Sequence, residues 1–321
     1  MVRISHLSVV VLSVVALTTG GCRRNAVRAE GTTRQLELVD TLPDFIARQH
    51  AAKATSNDGA LAAWRAWEAM NADVLRPSGA TQDDPGGPLL TKLALNPDAV
   101  LALVEPFEAS APGEAKALIA AFEQRIGQLP PAVVAFGVAR PWQTVFKGTA
   151  ADGRPILLFN ARHPDLAQPA VRRAVMARQL FQLYHEVRVP ESRSQGPLAR
   201  RIFREGAAML AVRALVADAP EQEILGVDPR QLGRLKKQQA LIARELLAAL
   251  DSANEAEVAR FFSPDVKDPL LPRGAGRFIA DRIFQKLARD VGSLERPLKM
   301  TPNEFQQRAR PILADLASPG R

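Results

Sequence analysis

The sequence predicts a mostly helical α+β fold in which two helices face each other across one loop and a small antiparallel sheet precedes them. Three observations lead there. Apolar residues recur at helical spacing over most of the chain. The stretch from Pro130 to Phe159 is instead rich in strand formers and turn signals. Two neighbouring stretches, Ala170–Val187 and Leu198–Val216, carry charges inside otherwise apolar stripes. On the second, Leu198, Ile202, Glu205, Met209, Val212 and Val216 share one helix face; on the first, Val171, Val175, Arg178, Gln182 and His185 do. A buried carboxylate or guanidinium is costly alone and tolerable when paired or beside a metal. The two stripes therefore mark a candidate site.

In chain order, residues 1–21 read as a signal peptide. Arg3 supplies a minimal positive start, Leu7–Leu17 is an apolar run of 11 residues, and Thr18-Thr19-Gly20-Gly21-Cys22 follows. The run is too short to span a bilayer. Small residues directly before a cysteine resemble the bacterial lipobox, although Thr19 stands where leucine is usual. That resemblance implies lipidation of Cys22, which becomes the first mature residue and ties the protein to a membrane. Arg23, where an aspartate would signal inner-membrane retention, points to the outer membrane, facing the periplasm. Residues 22–34 are polar and aperiodic and read as a tether.

From residue 35 to 321 the pattern predicts one domain, or two lobes sharing a cleft. Helices are expected over Leu36–Ala54 and Asp58–Leu75, with Trp64 and Trp67 three apart as a core pair. A loop at Arg76–Pro88 separates them from helices at Leu89–Leu103 and Gly113–Ile126. Short strands are expected at Val133–Val138, Thr144–Thr149 and Pro155–Phe159, the last two joined by a turn at Asp152-Gly153. After the helix pair come a long amphipathic helix at Asp228–Leu250, with Lys236, Lys237, Arg244 and Glu245 on its wet face, and a short one at Glu255–Phe262. Phe278–Val291 and Pro302–Leu316 complete the series. Gly274–Gly276 forms a helix-entry turn, and Thr301 with Glu304 forms a capping box.

Composition closes several doors. Cys22 is the single cysteine, so the chain has no internal disulfide, CxxC redox centre, thiolate zinc site or cysteine-protease nucleophile. The formal charge is +8, and loss of Arg3 with the signal leaves +7. The positive residues are spread along helices without a dense basic run, which argues against nucleic acid and for a solvated basic surface. There is no G-x-S-x-G elbow and no G-x-x-x-x-G-K phosphate loop.

Arg178-Gln179-Leu180-Phe181-Gln182, followed by Arg204-Glu205-Gly206-Ala207-Ala208, resembles the helix pair of the gluzincin-type predicted zinc-dependent proteases found among bacterial lipoproteins. In that family the first helix reads HExxH and the second EG-x-A, which supplies the third ligand; the offset from 178 to 205 here is 27 residues. The resemblance extends over the order of segments from Leu36 to Leu316 and implies a zincin-like helix pair. The departures fall on the catalytic positions. Arg178 and Gln182 stand where the family has its histidines, Gln179 where it has its glutamate, and Arg277 where it has a tyrosine; Glu205 alone is kept. An arginine cannot ligate a cation, and a glutamine cannot take a proton from metal-bound water.

The resulting expectation is an envelope-anchored, non-catalytic relative of zinc metalloproteases. It needs no cofactor and keeps its cleft for binding or scaffolding a protein or peptide partner. The alternative is a metallohydrolase with a rearranged site, for which His163, His185 and Glu205 are the candidate ligands; His185 is otherwise expected as a partly exposed residue near the cleft. Within the cleft, Arg178 and Glu205 are expected to form an ion pair across the two helices. The competing arrangement sends Arg178 to solvent and pairs Glu205 with Arg201 one turn earlier on its own helix.

Overall fold

The computed structural model describes residues 36–53, 57–79, 92–94, 96–140, 142–188, 198–252, 254–263 and 268–318. The expected signal peptide, Cys22 and the tether lie outside the described residues.

The described part of the chain begins with a strand where a helix was expected. β1 (Leu36–Asp40) lies parallel to β2 (Ala132–Gly137), with Leu38 opposite Val134. Its five residues, Leu-Glu-Leu-Val-Asp, fit a strand as well as a helical stripe, and a partner almost a hundred residues away decides between them. Thr41 then turns the chain: its backbone N–H and its hydroxyl both donate to the Phe136 carbonyl, at 3.2 and 2.8 Å. Helix α1 (Leu42–Lys53) follows, then α2 (Asn57–Met70) and the short α3 (Ala72–Leu75). Trp64 and Trp67 are fully buried, as expected, and both meet Phe45 edge-on, with centroids 5.0 and 4.9 Å away. Of the helix expected at Leu89–Leu103, residues 89–91 and 95 lie outside the described residues, 92–94 are helical, and helix α4 (Pro97–Glu108) covers the rest from Pro97 and runs on past its expected end. Pro97 sits in its first turn, where the missing N–H costs nothing, and the helix continues through Pro106. Helix α5 (Ala111–Arg125) leads into the sheet.

β2, β3 (Val145–Thr149) and β4 (Pro155–Asn160) join β1 in the order β1-β2-β4-β3. The small sheet is therefore mixed and not antiparallel throughout. β1–β2 and β2–β4 are parallel, and β4–β3 is the antiparallel pair. The Asp152-Gly153 turn, with Gly153 at φ +85°, announces that local pair. The parallel pairs depend on crossovers that leave no local mark. β2 is buried along its whole length, as suits a strand flanked on both sides.

The helix pair follows as α6 (Pro169–Arg188) and α7 (Leu198–Leu215). Beyond it lie α8 (Glu221–Leu225), α9 (Pro229–Lys237), α10 (Gln239–Ala249), α11 (Glu255–Phe262), α12 (Ala275–Val291) and α13 (Pro302–Ala317). The long helix expected over Asp228–Leu250 is two helices, broken at Gln238 (φ −101°, ψ 10°). α12 begins before Phe278 because Gly274, at φ +84°, takes the left-handed N-cap of the expected entry turn. The Thr301–Glu304 capping box forms as expected.

The buried apolar side chains form one cluster that runs from Leu42 to Leu313. At its centre α7 is flanked by α6 and α12. Gly206 sets the approach of α12: a Cβ there would lie 2.4 Å from the Phe284 ring and 2.7 Å from the Ala280 carbonyl oxygen. Arg213 donates to both oxygens of fully buried Asp281, at 3.0 and 2.7 Å, and so ties α7 to α12. Buried Arg172 of α6 is likewise satisfied, with two 2.8 Å bonds to Glu114 of α5 and one to the Leu166 carbonyl at 3.0 Å. Two-point contacts of this kind let a guanidinium leave water.

Candidate functional site

Three helices and a strand enclose one cavity of about 380 Å³. Helix α6 contributes Arg178, Gln179, Gln182 and Glu186, whose three- and four-residue steps keep them on one face. Helix α7 contributes Arg201, Arg204 and Glu205, β3 contributes Lys147, and α12 contributes Arg277. The four positions singled out from the sequence, Arg178, Gln179, Gln182 and Glu205, are thus brought together. What the sequence did not mark is the convergence of cations around them. Five basic side chains (Arg178, Arg201, Arg204, Arg277 and Lys147) and two acidic ones (Glu186 and Glu205) line the cavity. The one legible signal was the i, i+4 relation of Arg201 to Glu205.

Glu205 is the hub. Its side chain is 5% exposed and faces guanidiniums on two sides: Arg201 at 3.2 Å and Arg204 at 4.0 Å from Oε1, and Arg277 at 3.4 Å from Oε2. Burial alone would push its carboxyl up. The positive field of Arg277, Arg201, Arg178 and Arg204 outweighs burial and holds it below the usual carboxylate range.

The expected Arg178–Glu205 ion pair does not form. Arg178 instead donates through an η nitrogen to the carbonyl of Ile224. That carbonyl belongs to the last turn of five-residue α8, where backbone acceptors have no partner within the helix. Gly226, the left-handed C-cap of α8 at φ +66°, is called for by that backbone conformation and not by crowding, since a Cβ there would stand 3.9 Å from both the Arg178 and Arg277 guanidiniums, an ordinary contact. Burial and the neighbouring Arg277 bring the Arg178 pKa down to about 10, against the opposing pull of Glu205 and Asp281. The competing arrangement is met by half, since Glu205 pairs with Arg201 while Arg178 stays partly buried.

Gln182 accepts a 2.8 Å hydrogen bond from Lys147 Nζ, which also lies 3.7 Å from Glu186. Gln179 Oε1, Arg178 Nε and Arg201 Nε are buried without a hydrogen-bond partner among the described residues.

His185 is not partly exposed at the cleft. It is 4% exposed, with its ring between Phe181 (5.9 Å) and Phe203 (5.2 Å) and both nitrogens without a hydrogen-bond partner among the described residues. Burial, with Arg204 nearby, pushes its pKa down to about 4. The helix turns it toward the α7 core, so sharing a stripe with Arg178 did not place it in the cavity. His163 caps the 3₁₀ turn Pro164–Ala167, accepting from the Asp165 N–H at 3.3 Å, and its ring lies 5.1 Å from Trp142. Among the described residues no three His, Cys, Asp or Glu side chains come together as a metal ligand set, and His163, His185 and Glu205 are not gathered. The donor set at the cavity does not fit zinc: guanidiniums repel the ion and occupy the one central carboxylate.

Comparison with protein-family models, with curated proteins and with solved structures finds no match to this chain.

Proposed function

We propose that the chain is an envelope lipoprotein, anchored through acylated Cys22, that resembles a zinc metalloprotease without its catalytic groups and uses the cleft between α6, α7 and α12 for binding. The observation that carries this reading is the engagement of Glu205 by Arg201, Arg204 and Arg277. A carboxylate held below its usual pKa by guanidiniums is a poor proton acceptor near neutrality, and its lone pairs already face hydrogen-bond donors. Gln179 offers an amide where a base would be needed, and Arg178 a permanent cation where a ligand would be needed. The wall positions that would activate water instead present charge and hydrogen-bond donors, which suits recognition and not hydrolysis.

Metal analysis of the full chain, purified without chelators, tests this. The expected result is zinc well below one equivalent and no chelator-sensitive cleavage of unstructured peptides. Stoichiometric zinc that disappears in Glu205→Gln would overturn the reading in favour of a metallohydrolase with rearranged ligands.

A further inference from the structure

We infer that the α6–α7–α12 cavity is a site for a compact oxyanion with two or more negative charges, a phosphate or a phosphate monoester. This rests on the reading of the cleft as a binding site and names what it binds. Five cationic side chains against two carboxylates leave the lining with a charge of +3, assembled from four separate elements. Lys147 and Glu186 lie 3.7 Å apart and largely offset each other. That leaves four guanidiniums around a single carboxylate, Glu205. Like charges so placed repel, and an anion at their focus relieves the repulsion while matching the planar fork of each arginine.

The cavity also supplies the hydrogen-bonding need. Arg178 Nε and Arg201 Nε are buried donors without a partner among the described residues, and both residues line the same 380 Å³ space. A buried donor left unmade is costly; these two are closed to a water-sized probe as the side chains stand, so an oxyanion, whose lone pairs are enough to meet several donors at once, reaches them only when the guanidiniums turn toward it. A single carboxylate would neutralise only one of the three excess charges. The site is reached from solvent on the side of Arg201 and Arg277, whose side chains are 36% and 38% exposed, while Arg178 lies at the inner end, against the Ile224 carbonyl. Glu205 is then an internal counter-ion that holds the guanidiniums together when the anion is away and competes with it for them.

Titration calorimetry of the full chain in detergent, at about pH 8 where phosphate is a dianion, tests the assignment. The probes are inorganic phosphate and glycerol 3-phosphate, in a buffer containing chloride. The expected result is saturable one-to-one binding. Arg201→Gln and Arg277→Gln should each weaken it by about tenfold or more, since each removes a charge-assisted hydrogen bond. Arg308→Gln, an exposed arginine of α13 outside the cavity, should leave it unchanged. Glu205→Gln should tighten binding, because it removes the competitor. Should that variant fail to fold by circular dichroism, the arginine pair carries the test. Tighter binding of the glycerol ester than of phosphate would place the group on a lipid headgroup; equal or weaker binding would point to a free phosphate. Binding that is absent, or that falls equally in Arg308→Gln and the cavity variants, would overturn the inference. Stoichiometric zinc would overturn the binding-site reading with it, whereas absence of both zinc and phosphate binding would sink this inference alone.

Discussion

Gly206 next to the hub carboxylate makes the sharpest test of how the site is built. Glycine inside a helix normally costs stability, so Gly206→Ala on an isolated α7 should gain about 1 kcal/mol. In the folded chain the new Cβ would sit 2.4 Å from Phe284 Cδ2 and 2.7 Å from the Ala280 carbonyl oxygen. The ring cannot swing aside, because Phe284 is fully buried and stacks on Phe305 at 5.2 Å. The carbonyl is backbone and moves only with α12 itself. Overpacking of this kind costs about 1–3 kcal/mol, and here two neighbours clash, so the net loss after the helical gain should be about 2 kcal/mol. Urea unfolding followed by circular dichroism would measure it as a lower midpoint at unchanged slope. Adding Phe284→Leu should restore part of the loss and not all of it, since the carbonyl contact remains; the pair should therefore be non-additive. A variant as stable as wild type or more so would show that α7 and α12 do not approach at Gly206. The placement of Arg277 beside Glu205 would fall with that result.

Two further outcomes are expected, one from the structure and one from the proposed lipid anchor. His185 is held neutral by burial, with its pKa pushed down from 6.5 to about 4, so the unfolded chain takes up a proton in that window that the folded chain refuses. Stability should be full above about pH 6.5 and should fall by up to about 3 kcal/mol as the pH drops to about 4. His185→Leu should flatten this part of the urea midpoint profile, and an unchanged profile would refute the role. For the anchor, Cys22→Ala should abolish labelling by radioactive palmitate and leave the precursor uncleaved; a soluble, unlipidated mature form as the main wild-type species would refute lipidation.

Periodicity and end signals were enough for much of this chain. The α7 stripe, the buried Trp64 and Trp67, the Thr301 capping box and the place of Glu205 on a buried face all follow from spacing along one element, whereas the stripe expected on α6 is half-buried at Val171, Val175, Arg178 and Gln182 and its core side runs through Ala177, Leu180, Phe181 and Tyr184. Such features are local, because helical geometry alone decides which residues share a face. Tertiary structure decided the rest. β1 reads equally well as a strand or as the start of a helix until β2 pairs with it, and the parallel pairings carry no turn to announce them. Arg178 and Glu205 each lie where the sequence placed them and still do not pair. Helix spacing says which way a side chain points, but its partner depends on what another element brings alongside. Here the end of α8 brings a carbonyl to Arg178, and α12 brings Arg277 to Glu205. The cationic cavity is a sum over the neighbouring α6 and α7 and two elements further off in sequence, β3 and α12, and the charge it collects is invisible until they meet.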